Sequence, residues 1–349
     1  MSRRWRCLTG AIVALVLIIT VSPSGAMTAP CQAIDTPARL NRVTPVSVHG
    51  ELCRPADARP DTVHILIHGG TYNRGYWNFA FQPETYSYAR SARSFAAFSY
   101  DRVGFGRSTR RPSAELTGMS QADVLHQLVT AFRSGRVDGH PYRRIVLVGH
   151  SLGSGIALLE AATYQDVDGV VLTGITHHIS PQQMYDTYFN YLYPADEDPR
   201  FAGQGYDGGF LTTRPGVRAH LFYTPELSDP AAIAADEDTK DVVGSAEIFD
   251  IVSVAFDSPY SRRINVPVLM VVGSRDFLFC RGVASSDCSS SAALTAQEAP
   301  YFSPEACFRA EVLPGVGHDV TLHTVSPRLR ELIAAWAEQR VGRPCPATT

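Results

Sequence analysis

One serine in this sequence stands in a setting that suits nucleophilic chemistry. Ser151 lies in "LVGHSLGSG", residues 147–155, after a run of small and β-branched residues and before the helix-forming "IALLEAATY". The pattern G-x-S-x-G between a strand and a helix is typical of a nucleophile elbow, a strained turn that exposes the serine hydroxyl. Glycines two residues either side of the serine prevent clashes across that turn. We therefore predict that Ser151 is a catalytic nucleophile rather than part of an ordinary turn.

A serine nucleophile needs a base, and one histidine follows the last predicted strand. His318 lies in "LPGVGHDV". A neutral imidazole with a pKa near 6.5 can take the serine proton and return it to the leaving group. His323 and the pair His177/His178 are the alternatives. The pair stands at the entrance to a segment that we interpret below as an inserted cap, where lining a pocket or lying at a polar surface is the better interpretation. His318 is therefore the predicted base.

An acid that orients the histidine would complete the constellation. Asp276 follows the strand "VLMVVG" and is the predicted acid. The other acids considered are Asp101, Asp319, Asp250 and Asp257. Asp101 follows a different strand and is interpreted as structural, and Asp319 is adjacent to the histidine and cannot easily face its ring. Asp250 or Asp257 would suit a relocated acid ahead of the strand.

These three residues follow strands of a predicted parallel sheet. Apolar strands alternating with helices indicate a sheet that is covered on both faces. The strands are predicted at residues 62–68, 94–101, 144–149, 167–174, 266–273 and 308–315, after a short strand and turn at "TPVSVHGELCRP". Reactive groups gather at the carboxyl ends of the strands in such sheets. The predicted fold class is α/β, with a mostly parallel central sheet flanked by helices.

The alternation is interrupted between the fourth and fifth of these strands. The segment 177–262 contains "MYDTYFNYLY", which places Tyr185, Tyr188 and Phe189 on one face of a helix. A second apolar helix is predicted at "AEIFDIVSVAF", and acidic, proline- and glycine-rich stretches lie between the two. We interpret 177–262 as a mainly helical cap inserted into an α/β domain that spans 27–349.

Together these motifs resemble those of the α/β-hydrolase superfamily, in the version with a cap domain. The resemblance covers residues 43–341 and rests on "HGG", "YDRVGFGRS", "GHSLG", "GSRD" and "GVGH", which follow one another in the family's order. It implies an oxyanion hole formed by the backbone amide of Leu152 and by one from the loop after "IHGG". Thr71 is preferred for the second donor, with Gly70 and Tyr72 as alternatives. The residues expected to bind substrate are Tyr72, His150, His177, Tyr185, Tyr188 and Phe189.

The N-terminus has the features of a secretory signal peptide. The basic "MSRRWR" precedes an uncharged apolar stretch, Leu8 to Val21, and "SPSGA" supplies the small residues of a cleavage site. We predict a signal peptide over residues 1–26. An uncleaved anchor helix is the alternative, but the apolar stretch is short for a membrane span. We therefore expect a secreted protein with no stable membrane anchor after cleavage.

Export to an oxidising compartment would allow the cysteines to form disulfides. Removal of Cys7 with the signal leaves six, an even number that suggests disulfides in an exported protein. The topology of the resembled fold places cysteines in pairs at three points, so the predicted bonds are Cys31–Cys53, Cys280–Cys288 and Cys307–Cys345. A metal site is disfavoured because no C-x-x-C pair occurs.

The triad predicts acyl transfer through a serine ester intermediate, with water as the usual acceptor and with no metal or organic cofactor. The expected substrate is a carboxylic ester or lactone of a hydrophobic or aromatic small molecule. The formal net charge of −3 is too small to indicate a nucleic-acid partner.

Three other functions remain open at this point. A proline-type aminopeptidase would need acidic side chains in the cap, which the "DED" runs at 196–198 and 236–238 could supply. An acyltransferase or cyclase of a secondary-metabolite pathway would use the same triad with water excluded. A non-catalytic binding protein is disfavoured because members of that kind usually lose a triad residue.

Overall fold

The computed structural model describes residues 29–56, 58–256, 259–343 and 345, and the side chains of 254–256 are not described. The predicted signal peptide and Asp257 lie outside the described residues. Over the described ranges, no helix combines the length and the hydropathy needed to cross a membrane.

Strands account for both a large central sheet and a small separate one. The strands of the described chain are β1 (Cys31–Leu40), β2 (Thr44–Cys53), β3 (Thr62–Ile67), β4 (Ala96–Tyr100), β5 (Arg144–His150), β6 (Gly169–Thr173), β7 (Leu192–Pro194), β8 (Phe210–Thr213), β9 (Val243–Gly244), β10 (Val268–Gly273) and β11 (Arg309–Leu313). Eight of them form the central sheet in the order β1-β2-β4-β3-β5-β6-β10-β11. β1 and β2 pair antiparallel, as do β2 and β4, and the remaining neighbours are parallel.

Helices cover both faces of the central sheet. The α-helices of the described chain are α1 (Pro83–Tyr86), α2 (Gly118–Arg133), α3 (Leu152–Tyr164), α4 (Pro181–Tyr185), α5 (Arg218–Phe222), α6 (Pro230–Thr239), α7 (Ser245–Phe256), α8 (Ser291–Glu298) and α9 (Ser326–Arg340). Side chains of β3 alternate between two cores. Ile65 and Ile67 pack in the core that contains Leu128 of α2, and Leu66 packs in the core that contains Trp336 of α9. This double burial explains why the central strands are continuous apolar runs, and the predicted fold class is confirmed.

The N-terminal edge is larger than the sequence suggested. We predicted a short strand and a turn, whereas β1 and β2 form an antiparallel hairpin of two ten-residue strands, with Cys31 directly opposite Cys53. In β1, exposed and buried residues alternate over its second half, so the strand lacks the continuous apolar run that identified the others. The disulfides join Cys31 to Cys53, Cys280 to Cys288 and Cys307 to Cys345, which are the predicted pairs.

The chain between β6 and β10, residues 174–267, leaves the central sheet and is called the insertion below. It carries α4 to α7 and a second sheet of three antiparallel strands, β7-β8-β9. That small sheet was not predicted, because strands of two to four residues are too short to show a period in the sequence. Within the insertion, α7 packs against α2 and α3 of the main domain.

Candidate active site

Ser151 occupies the sharp turn between β5 and α3. Its φ of 51° and ψ of −120° are a strained backbone conformation for a residue with a side chain. The turn also brings backbone very close on both sides: a Cβ at Gly149 would collide with the backbone of Ser154, and one at Gly153 with the carbonyl of Ile67. Only glycine fits at those two positions, so the sequence folds here into a turn that projects the Ser151 side chain from the end of the strand.

Asp276 and His318 form a buried hydrogen-bonded pair at the ends of β10 and β11. The Nδ1 of His318 lies 2.8 Å from Oδ2 of Asp276, and the other carboxylate oxygen accepts the backbone amides of Leu278 at 2.9 Å and Phe279 at 3.2 Å. Burial by itself would lower the pKa of His318, but the attraction of the Asp276 carboxylate outweighs it and the pKa is raised above its ordinary value. The pair is therefore suited to accept and stabilise a proton on the ring.

His323, an alternative base, supports the loop that carries His318. Its Nε2 accepts the backbone amides of Gly317 at 3.1 Å and Thr224 at 3.3 Å, and its Nδ1 lies 2.8 Å from the carbonyl oxygen of Asp319. Burial lowers the pKa of His323 to about 4, so the ring stays neutral and can accept these bonds. Both ring nitrogens are engaged by backbone, which gives His323 a structural role.

The alternative acids are also engaged away from His318. Asp101 accepts the backbone amides of Arg74 at 2.9 Å and Arg107 at 2.8 Å, as expected for a structural residue. One carboxylate oxygen of Asp250 accepts the amide of Met119 at 3.2 Å, in the first turn of α2. Among the described acids, Asp276 is the one in hydrogen-bond contact with His318.

Ser151 and His318 line the same cavity, of about 130 Å³. The main domain contributes the loop after β3, the elbow and the segment after β10, and the insertion contributes about half of the lining. The insertion residues are mostly aliphatic and include Ile179, Met184, Leu192, Ile248, Ile251 and Val252. No aspartate or glutamate is among the lining residues of the described chain. The site is therefore an apolar chamber with a serine and a histidine at its floor.

The two amides that were predicted as oxyanion donors differ in their hydrogen bonds within the described chain. Leu152 lines the cavity at the start of α3, and its backbone amide donates a hydrogen bond to no acceptor among the described residues. The amide of Thr71 instead donates to the carbonyl of Val242 in the insertion at 3.2 Å. Gly70, which was an alternative, lines the same cavity, and its amide has no acceptor in the described chain. The structure therefore favours Gly70, the alternative, over Thr71 as a candidate for the second donor, because an amide that already donates to a carbonyl is not available to an oxyanion.

Two of the predicted aromatic contacts lie outside the cavity. Tyr188 lines it, but Tyr185 and Phe189 do not and are 55% and 59% exposed. The prediction assumed a regular α-helix across this stretch, whereas α4 ends at Tyr185 and residues 186–191 form a wider, π-helical turn. The three rings still pack together, with 4.8 Å between the ring centres of Tyr185 and Phe189 and 5.0 Å between those of Tyr188 and Phe189. Tyr188 is the one of the three that reaches the cavity.

His177 also lies away from the cavity. It is buried against α8, where its Nδ1 lies 2.6 Å from a carboxylate oxygen of Glu298 and its Nε2 lies 2.8 Å from the Ser261 hydroxyl. His178 contacts the other oxygen of the same carboxylate at 3.0 Å. The prediction that His177 binds substrate is therefore corrected: its Nδ1 ties the start of the insertion to the main domain, and its Nε2 ties the start of the insertion to its end.

Tyr72 and His150 do line the cavity, but their polar atoms point into a buried network. The Tyr72 hydroxyl contacts Asp319 through a short hydrogen bond and lies 3.2 Å from Asp236. His150 stacks on Tyr76, and its Nε2 lies 3.2 Å from Asp319. Desolvation lowers the pKa of His150 well below its usual value, with repulsion from His318 as the next cause. These two residues form part of the wall of the cavity and position neighbouring groups.

Arg218 of α5 closes that network and was not foreseen from the sequence. It is fully buried and makes two contacts of 2.9 Å with the carboxylate of Asp236 in α6. Its remaining nitrogen contacts the hydroxyl of Thr71 at 3.1 Å, and the guanidinium lies 4.2 Å from the ring centre of Tyr72. The "DED" run at 236–238 gave the only signal, and it was considered only as a source of acidic side chains for an aminopeptidase. In the structure its first residue balances a buried arginine.

Solved structures with the same fold include three hydrolases of low sequence identity. A thermophilic esterase from Thermogutta terrifontis, with malate bound, matches 89% of this chain and 99% of its own with 18% identity and a TM-score of 0.58. A putative aryl esterase from Burkholderia cenocepacia matches 87% of this chain and 98% of its own with 17% identity and a TM-score of 0.56. The enol-lactonase from Burkholderia xenovorans LB400 matches 87% and 100% with 15% identity and a TM-score of 0.59. At such identities the likeness shows the fold alone.

The family assignment comes from the sequence. No curated protein matches the chain at a significant level of sequence similarity. The model of the alpha/beta hydrolase family matches residues 65–330, which include the elbow, the insertion and the loops that carry Asp276 and His318. Since this match covers well over half of the chain, the protein belongs to the α/β-hydrolase family.

Proposed function

We propose that this protein is an exported serine hydrolase that cleaves a carboxylic ester or lactone of a hydrophobic small molecule by way of an acyl-enzyme. The observation that carries the proposal is the hydrogen-bonded pair of Asp276 and His318, 2.8 Å apart, at an apolar cavity that Ser151 also lines. Acyl transfer by a serine requires an exposed nucleophile and a base that an acid orients. The elbow and this pair would supply them, and the membership of the α/β-hydrolase family is in keeping with such chemistry.

In the proposed mechanism, His318 takes the proton of the Ser151 hydroxyl as the oxygen attacks the carbonyl carbon of the substrate. The amides of Leu152 and Gly70 would donate to the oxygen that becomes negative, which is where preorganised donors lower the barrier most. Asp276 orients the ring and stabilises the cation that forms. His318 then gives the proton to the leaving alcohol. Water, activated by the same histidine, releases the acid in the second half of the reaction.

The chemistry of the cavity supports an apolar acyl or ring system as substrate. Its insertion wall is aliphatic apart from Thr187 and the aromatics Tyr188 and Phe222, and we interpret segment 177–262 as a cap over the nucleophile. An aminopeptidase would need a carboxylate in this wall to hold the free amine. Both "DED" runs are used elsewhere, since Asp236 pairs with Arg218 and Asp198 lies 2.7 Å from the Lys240 ammonium. The esterases and the enol-lactonase of the same fold are in keeping with an ester or lactone.

Export rests on the signal-like N-terminus and on the cysteines. Three disulfides persist only in an oxidising compartment for most proteins. The Cys280–Cys288 bond closes the loop that follows Asp276, and Cys31–Cys53 ties the edge hairpin. We propose that the mature chain acts outside the cytoplasm.

The test is a substrate panel on the purified mature chain, comprising p-nitrophenyl esters of increasing acyl length, aromatic lactones, and prolyl and alanyl amides. We expect ester or lactone turnover that Ser151→Ala abolishes and Ser289→Ala, at an exposed serine, leaves unchanged. Turnover of amides without turnover of esters would overturn the proposal in favour of a peptidase. Turnover only in the presence of an added acyl acceptor would overturn it in favour of an acyltransferase.

A further inference from the structure

A cluster of ionisable side chains lies far from the cavity, between the two helices on one face of the sheet. His126 is in α2, Glu160 is in α3, and Asp166 is in the loop that follows α3. The Nδ1 of His126 lies 3.0 Å from a carboxylate oxygen of Asp166 and 3.8 Å from one of Glu160. One ligand atom from each of the three residues lies within 4.8 Å of the other two. Glu160 is nine residues along α3 from the nucleophile, about 13 Å of helix, so the cluster takes no part in acyl transfer.

Glu160 has no hydrogen-bond partner to account for its burial. Its side chain is fully buried in an otherwise apolar stretch of α3, and neither carboxylate oxygen has a partner among the described residues. One oxygen of Asp166 is buried and unpartnered as well, and the Nδ1 of His126 lies 3.0 Å from the other oxygen without forming a well-aligned hydrogen bond. An ionised carboxylate in such a place is strongly destabilising unless an opposite charge compensates it.

Two agents could compensate that charge, a proton or a cation. Burial raises the pKa of Glu160 to about 8, so a proton could neutralise it near neutral pH. A single proton, however, would satisfy only part of the cluster, since both oxygens of Glu160 and one oxygen of Asp166 lack a partner in the described chain. A cation at the centre of the cluster would instead satisfy Glu160, Asp166 and His126 together.

We propose that His126, Glu160 and Asp166 form a binding site for a zinc ion that joins α2 to the end of α3. One imidazole nitrogen with two carboxylate oxygens suits zinc, whereas calcium and magnesium prefer oxygen ligands throughout. Zinc bonds of 2.0–2.2 Å at tetrahedral angles separate neighbouring ligand atoms by about 3.4 Å, and the distances of 3.0 and 3.8 Å lie on either side of that value.

The surroundings of the cluster fit a bound ion that solvent can reach. The side chains of His126 and Asp166 are each 32% exposed, so one side of the cluster opens to water, which would supply the fourth ligand. The His126 ring stacks on Tyr164 with 3.8 Å between centres, which restricts its orientation. Two nearby cations are engaged by other groups. Arg42 pairs with Asp123 at 3.2 Å, and Arg133 contacts the carboxylate of Asp168 and the backbone carbonyl of Asp166 at 2.8 Å. The role of zinc here is to stabilise the packing of the two helices.

The experiment uses the tag-free mature chain with its disulfides intact. The protein is stripped with a chelator, dialysed, and titrated with zinc chloride by calorimetry, and bound metal is counted by mass spectrometry after gel filtration. We expect one zinc per chain and a rise in Tm of about 2–5 °C at zinc concentrations well above Kd. Calcium and magnesium should produce neither effect. Ester turnover should be the same with and without zinc.

Amino-acid substitutions distinguish a zinc site from a buried carboxyl group that is protonated. Glu160→Gln should weaken zinc binding at least about 100-fold and remove the zinc-dependent rise in Tm, and His126→Gln, at a partly exposed position, should do the same if the first variant folds poorly. Asp123→Asn removes a carboxylate one turn away on α2 and should keep the zinc. Absence of zinc binding by the parent chain overturns the proposal, and so does zinc binding that both ligand variants retain. A chain that binds no zinc and is stabilised by Glu160→Gln instead holds a protonated carboxyl there.

Discussion

Replacing Arg218 with methionine tests what the buried ion pair beside the active site contributes. Arg218 is fully buried and Asp236 is 1% exposed, and their two contacts of 2.9 Å form a fork between guanidinium and carboxylate. Methionine keeps the aliphatic bulk of the side chain and removes its charge. The carboxylate of Asp236 would then stay buried without its partner, close to the hydroxyl of Tyr72.

The size of the effect follows from the burial of both partners. Breaking a buried pair by removing one member costs about 3–5 kcal/mol, because the other charge loses compensation that water cannot supply. We expect Arg218→Met to lower the free energy of unfolding by that amount, and Asp236→Asn to lower it similarly. The double variant leaves no unpaired charge, so its loss should be smaller than the sum of the single losses by about 2 kcal/mol or more.

Urea denaturation followed by circular dichroism on the oxidised chain measures all four free energies of the cycle. Ester kinetics on the same samples add a functional readout. Arg218 contacts the hydroxyl of Thr71 in the loop that also holds Gly70, so its loss should reduce kcat more than it changes KM. Single losses below about 1 kcal/mol, or losses that simply add in the double variant, would refute the reasoning that the two charges depend on each other.

Three further predictions concern the triad, the cavity wall and a buried acid. Asp276→Asn should lower kcat about 10⁴-fold. It should also move the acid limb of the kcat/KM–pH profile to lower pH, because the Asp276 carboxylate raises the pKa of His318. An acid limb that stays at the same pH would contradict this. Tyr188→Ala should raise KM for aryl esters, whereas Phe189→Ala, at an exposed position, should leave steady-state kinetics unchanged; equal effects would contradict the placement of these rings. Burial raises the pKa of Asp319 to about 8. The folded chain therefore retains a proton that the unfolded chain releases above about pH 4. Because of this difference, the free energy of unfolding should decline by up to about 1.4 kcal/mol per pH unit until the pH passes 8. Asp319→Asn should remove that part of the slope in urea titrations at several pH values, and an unchanged slope would contradict it.

Features that are local in the chain could be predicted from the sequence. The strand, the two glycines and the helix around Ser151 are consecutive, and the collisions that require glycine at 149 and 153 arise from that turn itself. A strand in which every residue is buried, such as β10, is a continuous apolar run, and such a run can be recognised in the sequence. The order of the strands then brings Asp276 and His318 to one edge of the sheet.

Features that depend on distant parts of the chain could not be predicted in the same way. The bond from the amide of Thr71 to the carbonyl of Val242 joins the main domain to the insertion, and no pattern near Thr71 records it. The ion pair of Arg218 and Asp236 lies between two short helices of the insertion, whose relative placement the sequence does not encode locally. Tyr185 and Phe189 pack on each other as their spacing suggests, but they are exposed, because the side of this segment that faces the cavity is set by how the insertion packs on the main domain.

Two aspartates, Asp276 and Asp319, lie close to His318, and their different surroundings give them different roles. The Asp276 carboxylate accepts two backbone amides and lies in hydrogen-bond contact with the His318 ring. Asp319 is desolvated and lies near the charge of Asp236, which raises its pKa to about 8. A protonated Asp319 can donate to the hydroxyl oxygen of Tyr72, which then donates to Asp236, whose charge Arg218 balances. Asp276 is thus the carboxylate that bonds to the His318 ring, whereas the carboxyl of Asp319 belongs to a separate buried network with Tyr72 and His150.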